Sequence, residues 1–311
     1  MPKEIEVKSI LNKSKHRDSW FLSEYSINLY SSCSFNCLYC YIRGSKYGSN
    51  LASSLSVKVN AIDLLRKQLA VKAKKEQHGF IVACSATDPY PKIETEYKLT
   101  RQALGVIAQH RFPVHMLTKS PLIERDIDLL KQIEKGAVLP DDLKSVLPGG
   151  LIISFSFSTL DDDVAKIFEP GAPRPSERLA SIGRLLEQGF FVGISLMPLL
   201  PWIADTTEKL EETFSTFKKL GVHFLLPATL TLFGNEKASS KTLYFRALEK
   251  HYPELLPKYL KYFENSNEMP SYYWNAFQKK MRELSVAHQI QLSILDGAKV
   301  YNNEKNNTFE G

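Results

Sequence analysis

Tyr25-Ser-Ile-Asn-Leu-Tyr30-Ser-Ser-Cys33-Ser-Phe-Asn-Cys37-Leu-Tyr-Cys40-Tyr41 carries a strand and three of the chain's four cysteines. Apolar and polar residues alternate from Tyr25 to Tyr30, the period of a half-buried strand. The cysteines follow at once, spaced Cys-x3-Cys-x2-Cys. Thiolates this close converge on one soft metal centre, because a short loop lets three sulfurs point inward. Three ligands rather than four is the informative count. A four-iron cubane held by three cysteines keeps one iron without a protein ligand, open to a substrate or cofactor. Such a loop also needs backbone N–H groups turned toward the cluster's negative charge. Two alternatives stay open at this point. One is chance clustering; the other is structural zinc, which wants four protein ligands and has to recruit Cys84 or His16.

Outward from this stretch, short apolar strands alternate with amphipathic helices. Phe80–Cys84, Val114–Leu117, Leu151–Phe157, Phe190–Leu196 and Val222–Leu226 read as buried strands. Asn60 is placed to cap a helix with Ile62, Leu65 and Leu69 on one stripe. Ser120-Pro121 starts another, since Pro is tolerated in a first turn where its N–H is not needed. Ser176–Gly189 and Thr206–Gly221 each show a polar cap, apolar residues at helical spacing and a closing glycine. Strand then helix, repeated, implies parallel strands joined by right-handed crossovers. The expected fold class is α/β, an incomplete TIM-type (β/α)6 barrel. Gly136–Gly150 reads as an inserted loop. From Ser239 the pattern turns helical, with a short last strand at Ile290–Leu295. The expected organisation is a basic segment over 1–24, a barrel over 25–234, a helical extension over 235–301 and a disordered tail over 302–311.

Composition narrows the class. The chain has 311 residues, 43% of them apolar and 24% charged, a globular mix. Nothing approaches the ~18 consecutive apolar residues of a membrane span. The N-terminus is polar and lacks a secretory core. Four cysteines are no disulfide framework, so the expected location is cytoplasmic with no membrane partner. Residues 1–80 hold 13 Lys and Arg against 6 Asp and Glu, whereas residues 81–311 are nearly neutral, with 27 against 28. A basic first quarter is either a solvated face or a surface that steers an anionic partner such as nucleic acid.

The cysteine motif, its place after the first strand of a barrel and Tyr39 just before its last cysteine resemble the radical S-adenosylmethionine (SAM) superfamily. Thr87-Asp88-Pro89-Tyr90-Pro91 after the second strand, Phe168-Glu169-Pro170-Gly171 after the fourth and Met197–Pro201 after the fifth are similar to the branch containing spore photoproduct lyase. That resemblance covers about Ile10–Leu232. It implies a [4Fe-4S] cluster on Cys33, Cys37 and Cys40, with SAM chelated at the open iron. One electron, from a donor such as ferredoxin or flavodoxin, cleaves SAM to methionine and a 5′-deoxyadenosyl radical. The radical then takes hydrogen from an unreactive C–H bond. The cofactors carry the hard chemistry; the protein orients them and excludes water.

By the same resemblance, Tyr39 lies near the adenine, and Ser85, Thr87 and Asp88 meet the methionine amino group, chiefly through backbone carbonyls. Lys119 pairs with the methionine carboxylate. Ser156, with Ser154 or Ser158 as register alternatives, meets the ribose, and Gly193 and Ile194 line the adenine side. Cys84 ends the second strand where the lyase carries a cysteine that returns hydrogen to its substrate; buried strand cysteines are also common without any such role. DNA lesion repair is the leading substrate expectation, with Tyr90, Trp202 and Tyr272–Trp274 as stacking candidates. The alternatives are a SAM-consuming enzyme acting on RNA, a peptide or a metabolite, and a non-catalytic metal-binding protein. No Walker loop, His-Glu-x-x-His or Gly-x-Ser-x-Gly competes.

Overall fold

The computed structural model describes residues 2–45 and 55–308. Six parallel strands form the main sheet: β1 (Ser23–Ile27), β2 (Phe80–Ala83), β3 (Val114–Thr118), β4 (Leu151–Phe157), β5 (Val192–Leu196) and β6 (Leu225–Pro227). They lie in sequence order, and the two-residue strand Asn12–Lys13 adds antiparallel to β1. The barrel is not closed, as expected of an incomplete (β/α)6 barrel.

The crossovers are α1 (Ala61–Lys74), α2 (Leu99–Gln109), α3 (Ile127–Gly136), α4 (Pro175–Glu187) and α5 (Thr207–Leu220). Sequence reading passed over α2, although Leu99, Ala103, Leu104, Val106 and Ile107 bury one helical stripe. It also passed over the short helix Asp162–Phe168 after β4. Ser120 accepts from the Leu122 amide at 3.2 Å, and Thr206 from Lys209 at 3.3 Å, so both expected starts are capped. Asn60 makes no cap. Its side-chain amide instead brackets Val7, accepting from its N–H at 3.0 Å and donating to its C=O at 2.9 Å. The N-terminal segment is thereby sewn to the barrel, and Lys3–Ile5 joins a second small sheet with Ser56–Lys58 and Tyr30–Ser31.

Successive strand residues face opposite ways. On β4, Ile153, Phe155 and Phe157 join the large core beneath the helices, while Ile152, Ser154 and Ser156 face the barrel interior. The bottom of that interior, at the strands' N-terminal ends, is an apolar plug of Leu22, Phe80, Ile152, Phe191, Phe224 and Leu226.

The C-terminal extension is helical: α6 (Ser240–His251), α7 (Leu256–Tyr262), α8 (Ser271–His288) and α9 (Ile294–Thr308). The strand expected at Ile290–Leu295 reduces to one bridge between Gln291 and Phe224. Residues 302–308, expected to be disordered, continue α9; Tyr301 Oη donates to the Gly189 carbonyl and Asn302 Nδ2 to that of Val146, both at 2.9 Å. These bonds, with Ile294, Ala298 and Tyr301 packed on the plug, fasten the helix across the barrel floor. Residues 309–311 of that expected tail lie outside the described residues. Among the described residues, no helix is long and apolar enough to cross a membrane.

Candidate active site

The cysteine loop leaves β1 at the C-terminal ends of the strands, where barrel sites are built. Two residues after β4 hold it in place. The Leu38 amide donates to the Phe168 carbonyl at 2.8 Å, and the Gly171 amide to that of Phe35 at 2.9 Å. A Cβ on Gly171 would stand 2.3 Å from the Ser34 carbonyl oxygen, so only glycine allows this approach. The Phe168–Gly171 motif thus serves as the seat of the cysteine loop.

Cys33, Cys37 and Cys40 are free and partly buried. Burial raises all three thiols, Cys33 to about 12 with Asp88 adding to the effect. Backbone amides oppose this: those of Phe35 and Asp88 point at Cys33, those of Ile42 and Arg43 at Cys40. This is the N–H cradle that a negatively charged cluster requires. The sulfurs act electrostatically on one another. Yet among the described residues no three His, Cys, Asp or Glu side chains gather as ligands of one metal ion. Tetrahedral zinc at ~2.3 Å from each sulfur would need the sulfurs about 3.8 Å apart. A loop that offers each sulfur to a different iron of a cluster needs no such convergence, and the donor set fits a three-cysteine cluster.

Beside the loop, one carboxylate gathers four side chains. Glu169, 2% exposed, accepts from the Tyr39 hydroxyl, from Arg178 and, at 2.7 Å, from Ser158 Oγ, and Lys119 Nζ lies 3.3 Å away. Burial favours its neutral form, but Lys119, Arg178 and the Tyr39 hydroxyl prevail and hold it at about 2. Arg178 is fully buried and also donates to the Ser156 and Pro173 carbonyls, at 3.0 and 2.9 Å. Lys119 Nζ donates to Ser156 Oγ at 2.9 Å. An ammonium has three donors, so one remains for a ligand.

The other expected residues divide. Ser156 is half-buried at the mouth and stands where a ligand can reach it. Ser154 lies deeper and is committed to His115 Nε2 at 2.7 Å, and Ser158 is committed to Glu169. The ring of Tyr39 is packed in the core and its hydroxyl is held by Glu169. Asp88 accepts from the Tyr90 amide at 2.8 Å, and from Thr118 Oγ1 and the Lys119 amide at 2.7 Å, tying the ends of β2 and β3 together. Ser85 is exposed and its carbonyl accepts from Tyr41 Oη at 2.6 Å. The Cys84 thiol is 2% exposed, against the Leu29 amide, the Thr87 hydroxyl and Lys58; burial pushes it up to about 12.

Gly193 and Ile194, expected beside the adenine, face opposite ways. Ile194 points into the core under the helices. Gly193 faces inward, but the Phe224 ring occupies the space where its Cβ would stand, at 2.4 Å. Ser195, which sequence reading missed, is the β5 residue that faces the interior opposite Ser156. It is 1% exposed, and its hydroxyl has no partner among the described residues. Strand parity alone marks it: it is two residues beyond Gly193 on the same face.

Part of the basic first quarter lies away from the mouth, although Arg43 bonds Asn36 within the cysteine loop and Lys58 stands beside Cys84. Lys72, Lys74 and Lys75 close α1 just before β2 begins, at the opposite end of the barrel. Arg17 is paired with Glu24 and with Asp142 of the loop ahead of β4.

A parallel, open barrel with a three-cysteine loop at its mouth defines a class. The family model described as the Radical SAM superfamily matches residues 27–217, more than half of the chain. The chain belongs to this superfamily and is a radical SAM enzyme. An uncharacterised protein of Mycobacterium tuberculosis is 24% identical over 294 residues, 92% of this chain and 81% of that protein. One of Methanocaldococcus jannaschii is 28% identical over 236 residues, 75% and 78% of the two chains. Spore photoproduct lyase complexed with dinucleoside spore photoproduct superposes with a TM-score of 0.62 at 18% identity, over 91% of this chain and 78% of that one. At that identity the likeness is one of fold.

Proposed function

We propose that Cys33, Cys37 and Cys40 hold a [4Fe-4S] cluster at the barrel mouth, and that SAM binds beside it on Lys119, Ser156 and Ser195. The observation that carries this is the cradle itself: amides aimed at Cys33 and Cys40, next to an ammonium with a donor to spare. The cluster and SAM together supply a 5′-deoxyadenosyl radical. The chain's own residues do the rest. Lys119 binds the methionine carboxylate, Ser156 and Ser195 offer hydroxyls to the ribose, and the plug below closes the interior to water from beneath.

For the substrate we propose a lesion in DNA, released as in spore photoproduct lyase. Cys84 supports this reading: burial keeps it a thiol at neutral pH, the form from which a hydrogen atom can be donated. It borders Asp88, whose amide faces Cys33. The second reading is a small substrate such as a metabolite, with SAM consumed at each turnover. The position of Arg17, Lys72, Lys74 and Lys75 favours it, since those charges lie away from the mouth. Stoichiometry decides. Anaerobic, reduced enzyme given SAM and UV-irradiated DNA is followed for restored thymines and for 5′-deoxyadenosine. Repair of many lesions per SAM, lost in Cys84→Ala, supports the lyase reading. SAM cleavage without repair supports the second.

A further inference from the structure

Lys119 does not choose its own position. Lys119 is 8% exposed, where a lone lysine would normally reach out to water. Two groups keep it in: Ser156 Oγ at 2.9 Å and Glu169 Oε1 at 3.3 Å. Glu169 is fixed in turn from three sides, by Tyr39 of the cysteine loop, Ser158 beyond β4 and Arg178 of α4. Arg178 adds a second buried cation close by, so without the carboxylate the two positive charges would face one another at low dielectric.

We propose that Glu169 is a positioning residue for SAM: it holds Lys119 inward, over Ser156, so that the remaining ammonium donor faces the place of the methionine carboxylate. Through Tyr39, which stands between Cys37 and Cys40, the same carboxylate fixes that lysine relative to the cluster loop. Both oxygens of Glu169 are engaged by Tyr39, Ser158, Arg178 and Lys119, so it acts on SAM through Lys119. This inference rests on the SAM site proposed above. It adds that part of SAM affinity is set by a residue of the β4–α4 connection.

A double-mutant cycle tests it, read by SAM dissociation constant in equilibrium dialysis and by the change that SAM causes in the electron paramagnetic resonance spectrum of the reduced cluster. Glu169→Gln in the wild-type background is expected to weaken SAM binding about tenfold, the worth of one charge-assisted bond. In a Lys119→Met background the same change is expected to weaken it no further. Because Glu169→Gln leaves Arg178 buried without a counter-charge, thermal unfolding checks that it folds. Tyr39→Phe and Ser158→Ala keep all charges and loosen only the carboxylate oxygen facing Lys119. Each is expected to cost about threefold in SAM affinity with Lys119 present and nothing without it. Equal losses in both backgrounds, or tighter SAM binding in Glu169→Gln, would overturn the proposal. Wild-type protein that carries a cluster yet binds no SAM would instead overturn the site itself, so the two failures are distinguishable.

Discussion

The two ends of the barrel interior are built from the same strands and behave oppositely. At the bottom, Phe80 of β2, Ile152 of β4, Phe191 and Phe224 beside β5 and β6, and Leu226 pack into a plug that α9 covers. At the mouth, four residues beyond Ile152 and Phe191, stand Ser156 and Ser195 and, after β3, Lys119. Between them lies a polar layer that is fully satisfied: His115 binds Ser154 at 2.7 Å and the Phe21 carbonyl at 3.0 Å. The apolar end contributes stability through burial. The polar end keeps unused hydrogen-bonding groups, which folding alone does not require.

The largest effect on that contrast comes from the plug. Phe224→Ala removes a ring that fills the space over Gly193, and is expected to cost about 3–5 kcal/mol in denaturant unfolding. SAM affinity should stay unchanged, since no plug residue is among those proposed to hold SAM. A comparable loss of SAM affinity would show that the two ends are coupled.

Acid tests the middle layer. Burial holds the His115 imidazole down to about 4, below its ordinary value of 6.5. Between these values the unfolded chain takes a proton that the folded chain refuses. Stability is therefore full above pH 6.5 and falls as the pH drops toward 4, by on the order of 3 kcal/mol for this group. His223, also held at about 4 by burial, adds to the same window. Glu169 acts lower: its stabilisation is present above 4.5 and is lost as the pH falls through about 2. Unfolding midpoints measured from pH 7 to 4 should decline, and less steeply in His115→Gln.

Two serines on adjacent strands sharpen the comparison further. Ser154→Ala leaves His115 Nε2 unpaired in the interior and is expected to cost about 1–3 kcal/mol. Ser195→Ala loses no hydrogen bond among the described residues, so its stability should change by no more than about 0.5 kcal/mol, while SAM affinity falls several-fold. Thermal melts and SAM titrations of the pair check both. A destabilised Ser195→Ala would mean that its hydroxyl serves the fold and not a ligand.

How much of this could be read from the sequence follows from the range of each signal. The cysteine loop, the six strands and most crossovers are local patterns, and Leu151–Phe157 is observed with the bounds expected of it. Sites that depend on register were less legible. Gly193 and Ile194 were both expected beside the adenine, yet neighbours on one strand point to opposite faces, and a single-residue slip changes the face. Only tertiary packing shows that Phe224 takes the space over Gly193, and that the Ser195 hydroxyl is the one on that face left without a partner among the described residues. Glu169 was visible as part of a motif, but its role depends on Tyr39, Lys119 and Arg178, which are 130, 50 and 9 positions away in the chain. Charge counted along the chain likewise does not tell which end of a barrel it reaches: Lys72 and Lys74 close α1 at the floor, whereas Arg43 sits in the cysteine loop.

The central claim is that the mouth, through Cys33, Cys37 and Cys40, holds a cluster that cleaves SAM. Its most direct test is anaerobic: reconstitute wild type and Cys37→Ala with iron and sulfide, reduce with dithionite, add SAM, and measure iron content and 5′-deoxyadenosine. The account predicts about four irons per wild-type chain, nucleoside formed only by wild type, and unchanged folding of the apo variant. Zinc in place of iron, or a fully loaded wild type that leaves SAM intact, would contradict it.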